Sequence, residues 1–89
     1  MASQDTTICN KLGLHARAAS KLASKANQFG SKISVSCNSK TIDAKSIMSL
    51  MLLAACKGTS VTVSADGHDC EAAVIAIIEL INNRFDEDE

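Results

Sequence analysis

Two short segments of alternating polar and apolar residues constrain this 89-residue chain most strongly. The segment 33–37 alternates apolar residues with serines, and the segment 61–65 alternates valine and alanine with threonine and serine. A period of two residues is typical of a β-strand with one buried and one solvated face. A sheet built from such strands must carry all its helices on the buried face. The pattern therefore predicts an α+β fold of two layers with a mainly antiparallel sheet.

Weaker signals complete the predicted series of strands. A β-prone run over residues 4–10 indicates a first strand. Asn38-Ser39 is typical of a tight turn, so residues 40–43 should return as a partner strand beside 33–37. With three helices between and after the strands, the predicted order is βαββαβα in a single domain over residues 1–89.

Apolar residues spaced by three and four predict the helices. The first should run over about 16–27 and close near Gly30. The second should run over 47–55 after a Ser46 cap, and the third should begin at an Asp69 cap. The predicted buried face of the third helix consists of Ala73, Ile77, Leu80, Ile81 and Phe85.

Composition excludes several classes of function. The net charge is −1 and the only aromatic residues are two phenylalanines, so the total charge shows no basic excess and the chain has few of the stacking side chains that nucleic-acid-binding domains use. No apolar run approaches the length of a membrane span, and the polar N-terminal residues lack a signal-peptide core. We therefore expect a cytoplasmic protein with reduced cysteines and a solvated acidic segment at 86–89. The expected free thiols are Cys9, Cys37, Cys56 and Cys70.

One short stretch carries the chemistry. His15 stands at or just before the start of the first predicted helix, where backbone N–H groups without helical partners attract anions. Arg17 follows in the first turn, although a cation at this end disfavours the helix. Together with the backbone N–H groups of Ala16 and Arg17, this suggests a phosphoryl group carried on His15. The residue types alone leave open the alternative of a surface histidine that only caps the helix.

Two motifs and two loops are recognisable as a set. The first motif reads Gly13-Leu14-His15-Ala16-Arg17, followed by Ala19 and Leu22, and the second reads Lys45-Ser46-Ile47-Met48 with Leu50. The loops read Lys57-Gly58-Thr59 and Asp66-Gly67. Over nearly the whole chain they resemble the HPr family, the histidine-containing phosphocarriers of the bacterial phosphotransferase system. One departure is Ala18, where the family usually has proline, and we expect it to loosen the helix start without abolishing function.

This resemblance implies both a fold and an activity. The fold is an open-faced β-sandwich, with three helices on one face of a four-stranded sheet. The activity is that of a carrier: Nδ1 of His15 accepts a phosphoryl group from enzyme I, charged by phosphoenolpyruvate, and passes it to IIA domains. Imidazole suits such a relay because it is both a good nucleophile and a good leaving group near neutral pH. We expect a monomer that needs no metal or other cofactor and is not a stand-alone enzyme.

The segment that begins at Ser46 has two interpretations. Ser46 is either only a helix cap or also a regulatory phosphosite, which its resemblance to substrates of the HPr kinase/phosphorylase implies. The helix after it is apolar nearly all round, although a short helix on a sheet buries only one stripe. The predicted stripe is Leu50, Leu53 and Ala54. The residues that then face solvent are Ile47, Met48 and Met51. The resemblance implies that they dock enzyme I and IIA domains. The alternative is that all three belong to the core.

Other interpretations stay open at this point. A ferredoxin-like module is disfavoured because the chain lacks the paired cysteines of a metal chaperone and the glycine-rich phosphate loop of an acylphosphatase. Within the family, a nitrogen-related or a purely regulatory paralogue remains, although regulatory paralogues lose the histidine found at position 15. His68, which follows Asp66-Gly67, is expected to be a turn residue and not a metal ligand.

Overall fold

The computed structural model describes residues 1–53 and 55–86, and it has the predicted order βαββαβα. The strands are β1 Ala2–Thr7, β2 Lys32–Cys37, β3 Lys40–Asp43 and β4 Ser60–Asp66. The helices are α1 Ala16–Ala26, α2 Ile47–Leu53 and α3 Cys70–Asn82, and a 3₁₀ turn follows at Arg84–Asp86. None of the helices in this described part of the chain is both long and apolar enough to cross a membrane.

The four strands form one antiparallel sheet in the order β1-β4-β2-β3. The register pairs Val35 with Val63 on one side and with Ile42 on the other. Val35 and Val63 are buried beneath the helices, whereas the serines beside them on the opposite face are partly exposed. The two-layer arrangement predicted from the alternating segments is therefore confirmed, with α1 and α2 packed together and α3 over β1 and β4.

The first strand lies earlier than predicted. It covers Ala2–Thr7 instead of residues 4–10, because β4 offers partners only from Ala65, opposite Ala2, to Ser60, opposite Thr7. Ile8 is still buried, and its backbone N–H donates to Thr59 O at 2.9 Å. Beyond it the chain leaves the sheet and enters the loop that leads to α1.

Two predicted helix ends differ from the structure. α1 ends at Ala26 with Asn27 as its C-cap, and Gly30 does not adopt the left-handed conformation of a helix-terminating glycine. Gly30 instead has a packing role, because a Cβ there would come within 2.8 Å of the His68 ring. The second helix ends at Leu53, and the predicted stripe residue Ala54 lies outside the described residues.

Asp69 is the N-cap residue of α3, as predicted, and its carbonyl accepts a helical hydrogen bond from the Ala73 N–H at 2.9 Å. Its carboxylate makes no capping bond but accepts hydrogen bonds from the backbone N–H groups of Gly30 and Ser31, both at 2.9 Å, and from the Ser31 hydroxyl. The bond from the Ser31 side chain is the largest of the contributions that lower the pKa of Asp69 to about 2, and the Gly30 N–H is the next. Asp69 thus joins the loop after α1 to the start of α3.

Phe85 is buried as predicted, but not on the face of the third helix. α3 ends at Asn82, and Arg84 and Phe85 both adopt left-handed backbone conformations, with φ of 57° and 53°. This bend returns the Phe85 ring to the core, and the Phe85 carbonyl accepts a hydrogen bond from Lys21 Nζ at 2.8 Å. The predicted solvated segment 86–89 falls on residues 87–89 and the Asp86 side chain, outside what the structure describes.

Candidate functional site

His15 is the N-cap of α1. Its backbone is extended, with φ −77° and ψ 179°, and its carbonyl accepts the first helical hydrogen bond from the N–H of Ala19 at 2.8 Å. Its ring reaches back over the helix start, where Nδ1 accepts a hydrogen bond from the Arg17 backbone N–H at 3.3 Å. The imidazole is partly exposed, so the capping nitrogen stands at the surface of the molecule.

This cap favours Nδ1 as the ring nitrogen of His15 that could act as a nucleophile. A nitrogen that accepts an N–H bond carries a lone pair, so in the neutral ring the proton is on Nε2 and Nδ1 is unprotonated. The Nδ1 lone pair points to the first turn, where the N–H groups of Ala16 and Arg17 are among those without intrahelical acceptors. An electrophile that bonds to Nδ1 would therefore meet these donors and the positive end of the helix dipole.

The loop before His15 is held by one bond within the loop and one bond to a residue distant in sequence. Asn10 is fully buried and its Nδ2 donates to Gly13 O at 2.8 Å, while the Leu14 N–H donates to Ala55 O at 2.8 Å. Sequence reasoning missed Asn10, although an asparagine just after a strand and three residues before a glycine is a usable turn signal. Ala55 could not have been found in this way, because it lies 41 residues further along the chain.

Gly13 is required where this loop meets the end of the α2 segment. Its φ is +69°, and a Cβ there would lie 2.6 Å from Ala55 O and 2.7 Å from Cys56 Cα. A side chain would therefore be both strained and in collision with backbone atoms. The glycine lets the two chain segments touch and thereby sets the position of His15.

The first turn of α1 presents Arg17 and buries Ala18. Arg17 is exposed, two residues from His15, and Ala18 has no exposed surface. The methyl group of Ala18 thus packs in the core at the position where proline was expected. Whether alanine loosens the helix start relative to proline stays a prediction.

The second helix exposes the three residues predicted to face outward. Ile47, Met48 and Met51 are 42%, 76% and 46% exposed, while Leu50 and Leu53 of the predicted stripe are buried. Leu52, which the sequence reasoning did not include, is also 74% exposed. Helical spacing was the signal that could have found it, because Leu52 follows Met48 by four residues and shares its side of the helix. We call Ile47, Met48, Met51 and Leu52 the α2 face.

Ser46 caps α2, and it lies far from His15. Its Oγ accepts a hydrogen bond from the Ser49 N–H at 3.2 Å. α1 and α2 run antiparallel, since Leu14 at the start of α1 bonds to Ala55, while Asn27 at its end donates from Nδ2 to Lys45 O at 3.2 Å. The 11 residues of α1 separate the two ends by about 16 Å at 1.5 Å per residue. The α2 face therefore extends from the neighbourhood of His15 to Ser46.

The remaining candidate residues do not join the site. His68 is exposed in the turn before α3, with Nε2 3.8 Å from Asp69 Oδ2. Within residues 1–53 and 55–86, no three metal-ligating side chains come close enough together to hold an ion. All four cysteines are free thiols, and the Cys9 thiol donates to Ile81 O at 3.2 Å.

Comparison with known proteins agrees with this fold. The family model described as "PTS HPr component phosphorylation site" matches residues 2–83. The phosphocarrier protein HPr of Cupriavidus necator is 52% identical over 89 residues, the whole of both chains, and the phosphocarrier protein NPr of Shewanella violacea is 43% identical over 94% of this chain and 92% of that one. The crystal structure of HPr-C-His from Thermoanaerobacter tengcongensis is similar with a TM-score of 0.96 at 40% identity, over all of both chains.

The fold and the site define a two-layer α+β protein with a histidine at the start of its first helix. Nearly the whole length of this protein also matches one family. The chain belongs to the HPr family. It is a phosphocarrier of the phosphotransferase system, and the ferredoxin-like interpretation is excluded.

Proposed function

We propose that Nδ1 of His15 accepts a phosphoryl group from enzyme I, itself charged by phosphoenolpyruvate, and passes it to a IIA domain. The observation that carries this proposal is the hydrogen bond from the Arg17 N–H to Nδ1. It keeps a lone pair on the nitrogen nearest the helix start. A family model that describes a phosphorylation site and spans this residue adds support.

The transfer step needs only a nucleophile, a correctly positioned phosphoryl group and groups that neutralise its charge. The Nδ1 lone pair forms a bond to phosphorus while the bond from phosphorus to the donor's side chain breaks, and the ring proton stays on Nε2. The N–H groups of Ala16 and Arg17 and the Arg17 guanidinium then meet the phosphoryl oxygens as charge builds on them. Passing the group to a IIA domain is the same step in reverse, because the P–N bond to an imidazolium is readily broken.

Partner docking is assigned to the α2 face. Four exposed apolar residues on one short helix form an apolar surface beside the acceptor, and flexible methionines adapt to more than one partner. Enzyme I and the IIA domains would use this surface in turn, with the protein acting as a cytoplasmic monomer. The protein would be a substrate of its partners and not a stand-alone enzyme.

The test is a transfer assay with purified enzyme I and labelled phosphoenolpyruvate. We expect one acid-labile phosphate per chain on the wild type and none on His15→Ala, with circular dichroism unchanged. His68→Ala is the matched control, since it removes the other histidine, and it should be labelled like the wild type. Labelling that survives in His15→Ala would contradict the assignment of the acceptor.

A regulatory role of Ser46 is the second candidate function. The supporting observation is that Ser46 is partly exposed and stands at the end of the α2 face, where an added charge would confront any partner docked there. The proposed enzyme for this modification is an HPr kinase/phosphorylase. Incubation with that kinase and ATP, with Ser46→Ala as the control, distinguishes an acid-stable phosphoserine from the acid-labile phosphate at His15. A panel of sugar and nitrogen-related IIA domains would identify the branch that is served.

A further inference from the structure

The backbone of His15 is hydrogen-bonded on both sides. Its carbonyl accepts the helical bond from the Ala19 N–H at 2.8 Å, and its N–H donates to Gly13 O at 2.9 Å. The second bond closes a three-residue turn over residues 13–15, immediately before α1. The direction from which the chain enters the helix at His15 therefore depends on where the Gly13 carbonyl points.

The Gly13 carbonyl has a second donor. Asn10 Nδ2 donates to the same oxygen at 2.8 Å, and the backbone carbonyl of Asn10 accepts from the Gly13 N–H at 3.2 Å. A carbonyl oxygen has two lone pairs, so it can accept from the Asn10 amide and from the His15 N–H at the same time. Asn10 thus holds the orientation of the peptide group to which the His15 backbone is bonded.

Burial makes the contact from Asn10 difficult to replace. Asn10 has no exposed surface, and among the other polar residues that the structure describes only Ser31 is buried to this extent. Gly13 is buried as well, so we expect no water to take the place of a lost Asn10 amide. Gly13 also has φ of +69°, and a glycine backbone rotates more freely than any other, so its carbonyl depends on such bonds for its direction.

The direction of this turn bears on the His15 ring. The ring lies over the helix start because the His15 backbone is extended, and there Nδ1 accepts from the Arg17 N–H at 3.3 Å. This distance is at the long end for a hydrogen bond, so a small displacement of His15 would break it. The ring could then rotate and exchange its proton between the two nitrogens. A misplacement of about 1 Å can slow a transfer step roughly a hundredfold.

We propose that Asn10 is a positioning residue for His15: through the Gly13 carbonyl, it holds the His15 backbone so that Nδ1 faces the start of α1. Because Asn10 is buried, it acts through His15 and not by contact with a phosphoryl group or a partner. The inference rests on the proposed function, since it concerns the same acceptor nitrogen.

Two variants of Asn10 and one matched control test this proposal. Asn10→Ala removes the amide donor, and Asn10→Ser keeps a hydroxyl donor on a shorter side chain. Ser31→Ala is the control, because it also removes a hydrogen bond made by a buried polar side chain, but beyond the other end of α1. Urea midpoints of Asn10→Ala and Ser31→Ala should both fall.

Transfer kinetics separate positioning from stability and from docking. With this protein as the varied substrate of enzyme I, we expect Asn10→Ala to lower kcat roughly tenfold to a hundredfold and to change KM less than about twofold, because the α2 face is intact. Asn10→Ser should lose less, and Ser31→Ala should transfer like the wild type. A wild-type kcat in Asn10→Ala, an equal loss in Ser31→Ala, or a loss confined to KM would overturn the proposal. If Asn10→Ala does not fold, the same criteria apply to Asn10→Ser.

A second measurement is independent of transfer. The ¹⁵N chemical shifts of the His15 ring at about pH 8, where an imidazole is neutral, report which nitrogen carries the proton. The wild type and Ser31→Ala should show an unprotonated Nδ1 and a protonated Nε2, and in Asn10→Ala the two shifts should move towards each other. Unchanged shifts in Asn10→Ala, or averaged shifts already in the wild type, would contradict the positioning role. If the acceptor role of His15 fails, the wild type stays unlabelled, while these shifts still decide whether Asn10 positions the ring.

Discussion

The backbone N–H of Leu14 donates a hydrogen bond to the carbonyl of Ala55 at 2.8 Å. This single bond joins the residue before His15 to the segment that follows α2. The proposed phosphoryl acceptor His15 and the α2 face are therefore parts of one packed unit. A partner that docks on α2 meets His15 in a position set by the same contact.

Gly13→Ala should disrupt this unit. The new methyl group would collide with Ala55 O and Cys56 Cα and occupy a left-handed backbone, so we expect a loss of more than about 2 kcal/mol in the free energy of unfolding. Transfer from enzyme I should slow as well. Gly58→Ala is the matched control, because Gly58 has φ +90° but open space around it, and should lose only about 1 kcal/mol. Urea denaturation of both variants measures the difference, and equal losses would mean that backbone strain alone matters.

Arg17→Ala should slow phosphoryl transfer without weakening the fold. Arg17 is an exposed cation in the first turn of α1, so its removal should leave the stability unchanged or raise it by about 0.3–1 kcal/mol. Loss of its fork of donors should lower the transfer rate roughly tenfold to a hundredfold. Arg17→Lys keeps the charge, and its transfer rate should lie between those of the wild type and Arg17→Ala. Single-turnover transfer and thermal melting of the three proteins decide the matter, and wild-type rates in Arg17→Ala would show that the guanidinium has no role.

Ser46→Asp should weaken docking in a salt-dependent way. Its charge would stand at the end of the α2 face, and the resemblance to the HPr family implies that the docking faces of the partners are acidic. A phosphate of about −1.5 to −2 charges there should cost on the order of 1–3 kcal/mol in partner affinity, and aspartate less in the same direction. The transfer rate should recover as ionic strength rises, because salt screens exposed charges. Ser46→Ala is the neutral control, and a wild-type rate of Ser46→Asp at low salt would leave Ser46 as a cap only.

Asp69 should make the stability depend on pH in the acid range. Hydrogen bonds from Ser31 and Gly30 lower its pKa to about 2 in the folded chain, against 3.8 for an ordinary aspartate. The stabilisation is therefore complete above about pH 4 and is lost as the pH falls towards 2. Asp69→Asn should be clearly less stable than the wild type at pH 6, and the difference should shrink between pH 4 and pH 2. Urea denaturation midpoints at these pH values measure the difference. Asp66→Asn, which alters a nearby exposed carboxylate, is the control.

The order of elements and the two-layer fold could be predicted from the sequence. Alternation in 33–37 and 61–65 and the spacing along α1 are local signals, because strand and helix periods are set within a few residues. The same local logic placed His15 at a helix start and the turn at Asn38-Ser39, where both φ angles are positive. The side on which Ile47, Met48 and Met51 face outward also followed from helical spacing.

Tertiary contacts decided what local patterns could not. Asp69 occupies the N-cap position of α3 as predicted, yet its carboxylate accepts hydrogen bonds from two backbone N–H groups and the Ser31 hydroxyl, 38 and 39 residues away in sequence, and none from its own helix. Phe85 was predicted to lie on the third helix, yet it follows α3, and a left-handed bend of the backbone places its ring in the core. The separation of Ser46 from His15 likewise depends on the antiparallel packing of α1 and α2. Such outcomes depend on the free energy of contacts between residues distant in sequence, and no period or local propensity encodes those contacts.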